Sequence, residues 1–445
     1  MAPTRANRPT APKHLTTSRG AALYVGAILG PGLLVLPGLA AAEAGPASIL
    51  AWLGLLALSC VFAAVFSALG RHVPSDGGVM GYVTTGLGPR PGRATGWMFL
   101  AGVVSGAPIV CIAGARYVTD LTGGGQLAQA PVAAALLAVV ICLAAGGLRA
   151  TATAQLLLVS LLTIVVVVAV IGSVAASRAG NWAPFAPHGW LSVGSAAATL
   201  MFSFVGWEAV APLTTRFADP SRQLPRAVVI AVAVTSAVYL SHAATTISVL
   251  GPRAADGAPL AMLLRHAVGP AGTYAAAAAA VVLTLGATNA YLSGAAGIAG
   301  QLAARTAAAV PRPAPRLWLL ASITGSGVVL ITLYGLRIVS LDELVAIPTT
   351  LFLTVYLGAM VTAARLLTGR VRLGARFAAM AVTVMLGFCG WALALPVVVA
   401  LAVGWQARAN GRGRTRGTSP DGIAAPRLDD GFCSDDQRTA SRTSS

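Results

Sequence analysis

Stretches of about twenty consecutive apolar residues recur along this chain, and a helix of that length spans the hydrocarbon of a bilayer. Twelve can be drawn, at 20–43, 46–70, 94–118, 127–147, 151–176, 193–215, 226–250, 270–303, 317–336, 341–365, 373–388 and 390–406. The last two are short and form either two spans or one broken hairpin. In lipid no water satisfies exposed backbone groups, so each run must close its own hydrogen bonds as a helix. Composition agrees. Hydrophobic residues make up 56% of the 445, and charged residues only 10%, against about 25% in soluble domains. Mean hydropathy is +0.79. The expected class is an all-α integral membrane protein with about twelve transmembrane helices.

The net charge of +17 does not point to nucleic acid, because of where the charges sit. The 30 Lys and Arg residues avoid the apolar runs and gather in alternate loops. With the N-terminus inside, only Arg116, Arg178, Arg253, Arg265 and Arg337 fall outside. The remainder, from Arg5 to the tail arginines, fall in inner loops and tails, which places both termini in the cytoplasm. Residues 1–19 then form a cytoplasmic N-terminal tail and 20–406 a transmembrane domain. The first apolar run is too long for a signal-peptide core, so it is read as a retained helix. Residues 407–445 are rich in Arg, Gly, Ser, Thr and Asp and read as a disordered cytoplasmic tail. The expected location is the cytoplasmic membrane.

The cysteines Cys60, Cys111, Cys142, Cys389 and Cys433 show no spacing that holds zinc or a disulfide framework. Four lie in apolar runs and read as small hydrophobes. No metal or cofactor is called for. The five histidines are scattered, which argues against a membrane enzyme. No Walker A motif is present, so ATP bound to this chain is not the energy source. A channel would need rings of selectivity residues, and a sensor a further folded domain.

Two runs carry helix breakers. The first reads Gly26-Ala27-Ile28-Leu29-Gly30-Pro31-Gly32. Pro31 removes an amide donor and clashes with the preceding turn, and the glycines loosen the backbone. The sixth reads Phe204-Val205-Gly206-Trp207-Glu208-Ala209-Val210-Ala211-Pro212. Glu208 is a carboxyl in an apolar run, costly there unless neutral, paired or facing water. Breaks in the first and sixth of ten helices point to an inverted-repeat transporter of two five-helix halves, about 20–176 and 193–365, with two further helices at 373–406. In such a fold the substrate sits between the breaks. A half-helix N-terminus meets an anionic group such as a carboxylate, and exposed carbonyls meet a cation such as an ammonium. A zwitterionic amino acid satisfies both.

These residues carry a family resemblance. Gly26 to Gly32 is similar to the G-x-x-x-G-S/T-G signature of helix 1 in the amino acid–polyamine–organocation permease superfamily. Pro74-Ser75-Asp76-Gly77-Gly78 resembles its P-S-x-G-G segment, Phe204 to Glu208 its helix 6 break, and Asp219-Pro220-Ser221-Arg222-Gln223-Leu224-Pro225-Arg226-Ala227 the loop that follows. Within the superfamily the chain looks most like bacterial exporters of neutral amino acids such as methionine and the branched-chain residues. The resemblance implies the LeuT-type fold, 5+5 helices with helices 1 and 6 broken. It implies a secondary active permease moving neutral amino acids by alternating access, outward, with import or exchange as the alternative. Three features depart from the pattern: Pro31 replaces a small polar residue, Thr214-Thr215-Arg216 stands where many relatives have an acidic pair, and the fifth run lacks the lysine of some proton-coupled relatives.

By resemblance, Ala27, Ile28, Gly30, Pro31 and Gly32 would meet the substrate carboxylate, and Phe204, Val205 and Gly206 its amino group. Glu208 either binds a coupling proton or locks helix 6 in place. Phe204 and Trp207 either line the pocket or pack. Asn289 and Tyr291 in the eighth run are candidate contacts, or else interhelical hydrogen bonders. Glu43 and Asp120 end their helices in solvent. His242 reads first as a histidine satisfied between helices and second as a proton carrier. The implied partners are an amino acid, a coupling ion that could be a proton, and the bilayer.

Overall fold

The computed structural model describes residues 16–30, 32–73, 78–147, 152–208, 217, 219–304 and 315–415, and among these it is nearly all helical. The first apolar run is two helices, α1 (Thr17–Ile28) and α2 (Gly32–Ala44). α3 (Ser48–His72) follows, then a short α4 (Gly78–Leu87), and then α5 (Pro89–Asp120), α6 (Gln126–Ala145) and α7 (Ala152–Ser173). The sixth run begins as α8 (Ser192–Leu200), tightens to a 3-10 turn over Met201–Phe204, and leaves the helical path at Val205. Beyond it lie α9 (Pro220–Thr245), a short α10 (Pro259–Val268), α11 (Pro270–Ala304), α12 (Pro315–Gly335) and α13 (Leu341–Leu366). α14 (Gly369–Gly387) and α15 (Ala394–Thr415) end the described chain. One order therefore occurs twice: a broken helix, a long one, a short one, then three long ones.

Among the described residues, eight segments are long and apolar enough to cross a membrane. The expected twelve runs differ from this for physical reasons. Gly32–His72 counts once although it holds both α2 and α3, because only a 3-10 turn at Gly45–Ala47 parts them. The sixth run is too short once broken, at Ser192–Phe204. α14 opens with Arg370, Arg372 and Arg376, which shortens its apolar stretch, and the apolar part of α15 ends at Gln406. α15 continues as helix to Thr415, into the segment expected to be disordered. The rest of that tail, Pro31 and 74–77 all lie outside the described residues. The first compact unit ends at Gly404, and a second begins at Trp405.

The helix starts follow from local chemistry. Proline opens α5, α9, α10, α11 and α12, a position where its missing N–H costs nothing. Ser340 and Glu343 form a capping box at the start of α13, with the Glu343 carboxylate accepting from the Ser340 amide at 2.9 Å. α5 is the innermost helix: 89% of its apolar window is buried, against 22% for the α7 region. α5 packs against α6, α11, α12 and α13, and α1 and α2 pack against α9 and α8 respectively. α7 instead exposes Leu157, Leu161, Ile164 and Ile171, as a helix facing lipid does. Cys111 and Cys389 are buried, whereas Cys60 and Cys142 sit on exposed positions of apolar helices; Cys433 lies outside the described residues.

Candidate functional site

The two breaks meet. Gly206 has φ +143°, and a Cβ there would drive into the carbonyl of Ala27. A Cβ on Gly32 would stand 2.6 Å from Ser203 Oγ. Glycine is needed at Gly206 because backbone approaches backbone there, whereas at Gly32 the space is closed first by the Ser203 and Leu36 side chains. Gly30 differs: a Cβ there would find only Ile28 O, at 3.9 Å. At the first break the Gly30 amide donates to Ile28 O at 2.7 Å, and the Leu33 amide to Gly30 O at 3.2 Å.

Carbonyls released by the breaks are taken up by tyrosine hydroxyls from three other helices. Tyr239 of α9 donates toward Ile28 O (2.7 Å) and Ser203 O (2.9 Å). Tyr291 of α11 reaches Val205 O (2.9 Å) and Ala27 O (3.4 Å). Tyr356 of α13 lies 3.3 Å from Phe204 O and 2.6 Å from Glu208 Oε2. Its oxygen also accepts from the amides of Gly206 (3.2 Å) and Trp207 (3.1 Å). The Gly206 amide donates to Glu208 Oε2 as well, at 2.9 Å. Glu208 is thus bound within its own turn and to α13.

A small cavity of about 40 Å³ opens against these breaks. Ile28, Gly30, Gly32, Val205 and Tyr291 line it, together with Gly102, Val103, Gly106, Ala107 and Val110 of α5, and Phe202, Thr288 and Phe352. The wall is apolar apart from backbone and two hydroxyls. The Thr288 hydroxyl is buried and has no hydrogen-bond partner. A wider cavity of about 900 Å³ begins one turn away, lined by Glu43, Asp120, Asp256, Asp342, Glu343, Arg116 and Thr349 among others. Thr349 and Phe352 are one turn apart on α13, and Thr199 and Phe202 likewise on α8 and its 3-10 turn. The two phenylalanines thus line the small cavity one turn from threonines that line the wide one. Their seats are glycines: a Cβ on Gly102 would be 3.0 Å from the Phe352 ring, and one on Gly106 would be 3.8 Å from Phe202.

Of the residues singled out in the sequence, Ile28, Gly30, Gly32, Val205 and Tyr291 come together around the small cavity. Ala27 and Gly206 lie behind it at the contact of the two breaks. Phe204 packs against Trp52 and Tyr239, and Trp207 donates its indole N–H to Ser59 at 2.6 Å. Both pack rather than line the cavity. Asn289 lines a different cavity, with Gly147, Ser293 and Arg316. Glu43 accepts from Thr199 at 3.0 Å at the rim of the wide cavity, with Asp120 nearby. Sequence reasoning missed the α5 stripe, Phe202, Thr288 and Phe352. Gly102-x-x-x-Gly106 is the signal that could have found the first.

Residues 15–405 match the family model described as amino acid permease. The chain is 30% identical over 407 residues to the uncharacterized amino acid permease YecA of Bacillus subtilis, covering 88% of this chain and 95% of that one. It is 28% identical to the L-methionine/branched-chain amino acid exporter YjeH of Escherichia coli, covering 85% and 92%. In fold it is similar to MhsT, solved in complex with L-phenylalanine, with a TM-score of 0.59 at 17% identity, covering 89% of this chain and 100% of that one. The chain is a multi-pass membrane protein and belongs to the amino acid permease family.

Proposed function

We propose that this permease is a secondary transporter that carries neutral amino acids with apolar side chains outward across the cytoplasmic membrane. The observation that carries the reading is the small cavity between two broken helices, apolar on its side-chain walls and lined by backbone at the breaks. Helix α2 starts at Gly32, so its first-turn N–H groups and partial positive charge face the break. That end receives the substrate carboxylate, at Gly30, Gly32 and the neighbouring Ile28. The Val205 carbonyl, which keeps a second lone pair beside the Tyr291 hydroxyl, receives the amino group; Phe204 and Gly206 hold that carbonyl in place. Thr288 offers the one unpartnered side-chain hydroxyl on the wall. Val103, Val110, Phe202 and Phe352 surround an aliphatic side chain.

The repeated element order supports a 5+5 inverted repeat, with α14 and α15 added to reach twelve spans. With the arginine-rich loops inside, the wide acidic cavity lies on the outer side. About 40 Å³ holds only a few water centres, so a bound amino acid requires the rings of Phe202 and Phe352 to swing outward. Alternation then means moving those rings and the half-helices they face. The bonds to Glu208 favour its role as the carboxyl that locks the second break over a role in coupling. Likeness to an amino acid exporter supports the outward direction. The test is counterflow by purified protein in liposomes against a panel of labelled amino acids. Exchange of leucine, isoleucine, valine or methionine, with none of lysine or glutamate, is the expected result. Exchange of charged amino acids alone would refute the reading.

A further inference from the structure

His242 of α9 is fully buried, yet among the described residues neither ring nitrogen has a partner in hydrogen-bonding geometry. The backbone of Leu33 in α2 lies beside the ring. Leu33 has no helical donor, because the residue one turn on is Pro37, which lacks an N–H. A neutral imidazole has one donor and one acceptor. If the donor serves the Leu33 carbonyl, the other nitrogen is a base with nothing to bind, and such a group costs about 1–3 kcal/mol when buried. Ionisable groups kept inside a membrane at such a cost are characteristic of proton and ion pathways.

A second unpartnered group lies on the same face of the helix. One turn beyond His242 on α9, the Thr246 hydroxyl is also buried and unpartnered. Thr246 opens a π-helical turn, Thr246–Leu250, a local widening found mostly at functional sites. The next residue, Ile247, lines a cleft of about 440 Å³ between the Gly45 end of α2 and Gly251–Pro252. Ile247 is turned by about 140° from His242 around the helix, so the cleft opens on another face. Threonine and histidine share one face of the helix, and three residues before His242 on that face Tyr239 holds Ile28 O and Ser203 O.

We propose that His242 is a proton-binding site with Thr246 beside it, and that its protonation is coupled to movement of α2 against α9. A protonated ring donates from both nitrogens, which strengthens its hold on Leu33 and calls a water or Thr246 to the other side. The surroundings leave this role to His242. Among the elements packed on α9, the described part of α7 has no titratable side chain. α1 brings Arg19 and Tyr24, and α3 brings Cys60, Arg71 and His72. α2 brings Glu43, ten residues past Leu33 and so about 15 Å further along the helix. On α9 itself Tyr239 is already bonded.

The transport test rests on the amino acid permease reading, and the binding test does not. In liposomes loaded with L-leucine or L-methionine, His242→Gln keeps an amide donor for Leu33 but cannot titrate. Counterflow should stay within about twofold of wild type, while accumulation driven by a pH gradient falls about tenfold or more. Accumulation equal to wild type would overturn the proposal and leave His242 as a structural donor. Independently, His14, His72, His188 and His266 are replaced by Gln, leaving His242 as the lone histidine. Imidazole ¹⁵N NMR in lipid nanodiscs should then show the ring taking up a proton as the pH is lowered. A ring that stays neutral throughout overturns the proposal, even if no amino acid is transported or His242→Gln fails to fold.

Discussion

At the scale of single residues, the strongest claims concern side chains whose loss affects one function only. The Thr288 hydroxyl has no partner among the described residues, so Thr288→Val removes no hydrogen bond to them and keeps the volume. Thermal stability should be unchanged. The KM for counterflow should rise about three- to tenfold, the worth of one hydrogen bond of about 0.5–1.5 kcal/mol. A fall in stability with KM unmoved would mean that the hydroxyl serves the fold. The glycines form a second contrast. Gly206→Ala must place a Cβ against the Ala27 carbonyl at φ +143° and should lower the melting temperature and abolish transport. Gly30→Ala meets open space and should fold normally while weakening binding, because the added methyl enters the cavity. Equal stability loss in both variants, measured by thermal unfolding in detergent, would contradict the packing described.

At the scale of elements, tyrosine hydroxyls take up the carbonyls at the breaks. The carbonyls of Ala27, Ile28, Ser203 and Val205 each lie within bonding reach of a tyrosine hydroxyl. A sodium ion at that junction would have to displace them. Replacing sodium by choline in the counterflow assay should therefore change the rate by less than about twofold; a loss of about tenfold would show that a cation holds the breaks. The breaks themselves were legible in the sequence, because Gly30-Pro31-Gly32 and Gly206 beside Glu208 violate the rules for an apolar helix. Which residues face the cavity was only partly legible. Tyr291 faces it and Asn289 does not, although both are polar. Thr288 lies three residues before Tyr291 and so shares its face, while Asn289 is turned by about 100°. Polarity singled out Asn289 where helical spacing selects Thr288. Phe202 and Phe352 were hidden for another reason. An aromatic in an apolar run has no sequence signal that separates a cavity wall from packing, and only the opposing Gly102 and Gly106 mark them.

At the scale of the whole molecule, the charge pattern and the fold make a joint claim about orientation. A reporter active only in the cytoplasm should be active when fused after Arg149 and silent when fused after Arg253. Activity at Arg253 would invert the odd and even loops and put the wide acidic cavity, with Glu43, Asp120 and Asp342, on the inner side. The central claim is that a helix terminus at the first break binds the carboxylate of a neutral amino acid inside an apolar cavity. Competition between L-leucine and L-leucinamide for counterflow by the wild-type protein in liposomes tests it most directly. The amide keeps the amino group and side chain and loses only the negative charge. A helix N-terminus and charge-assisted hydrogen bonds together favour the anion by about 1.5–3 kcal/mol, so leucinamide should compete about tenfold or more weakly than leucine. Equal competition by the two would contradict the account.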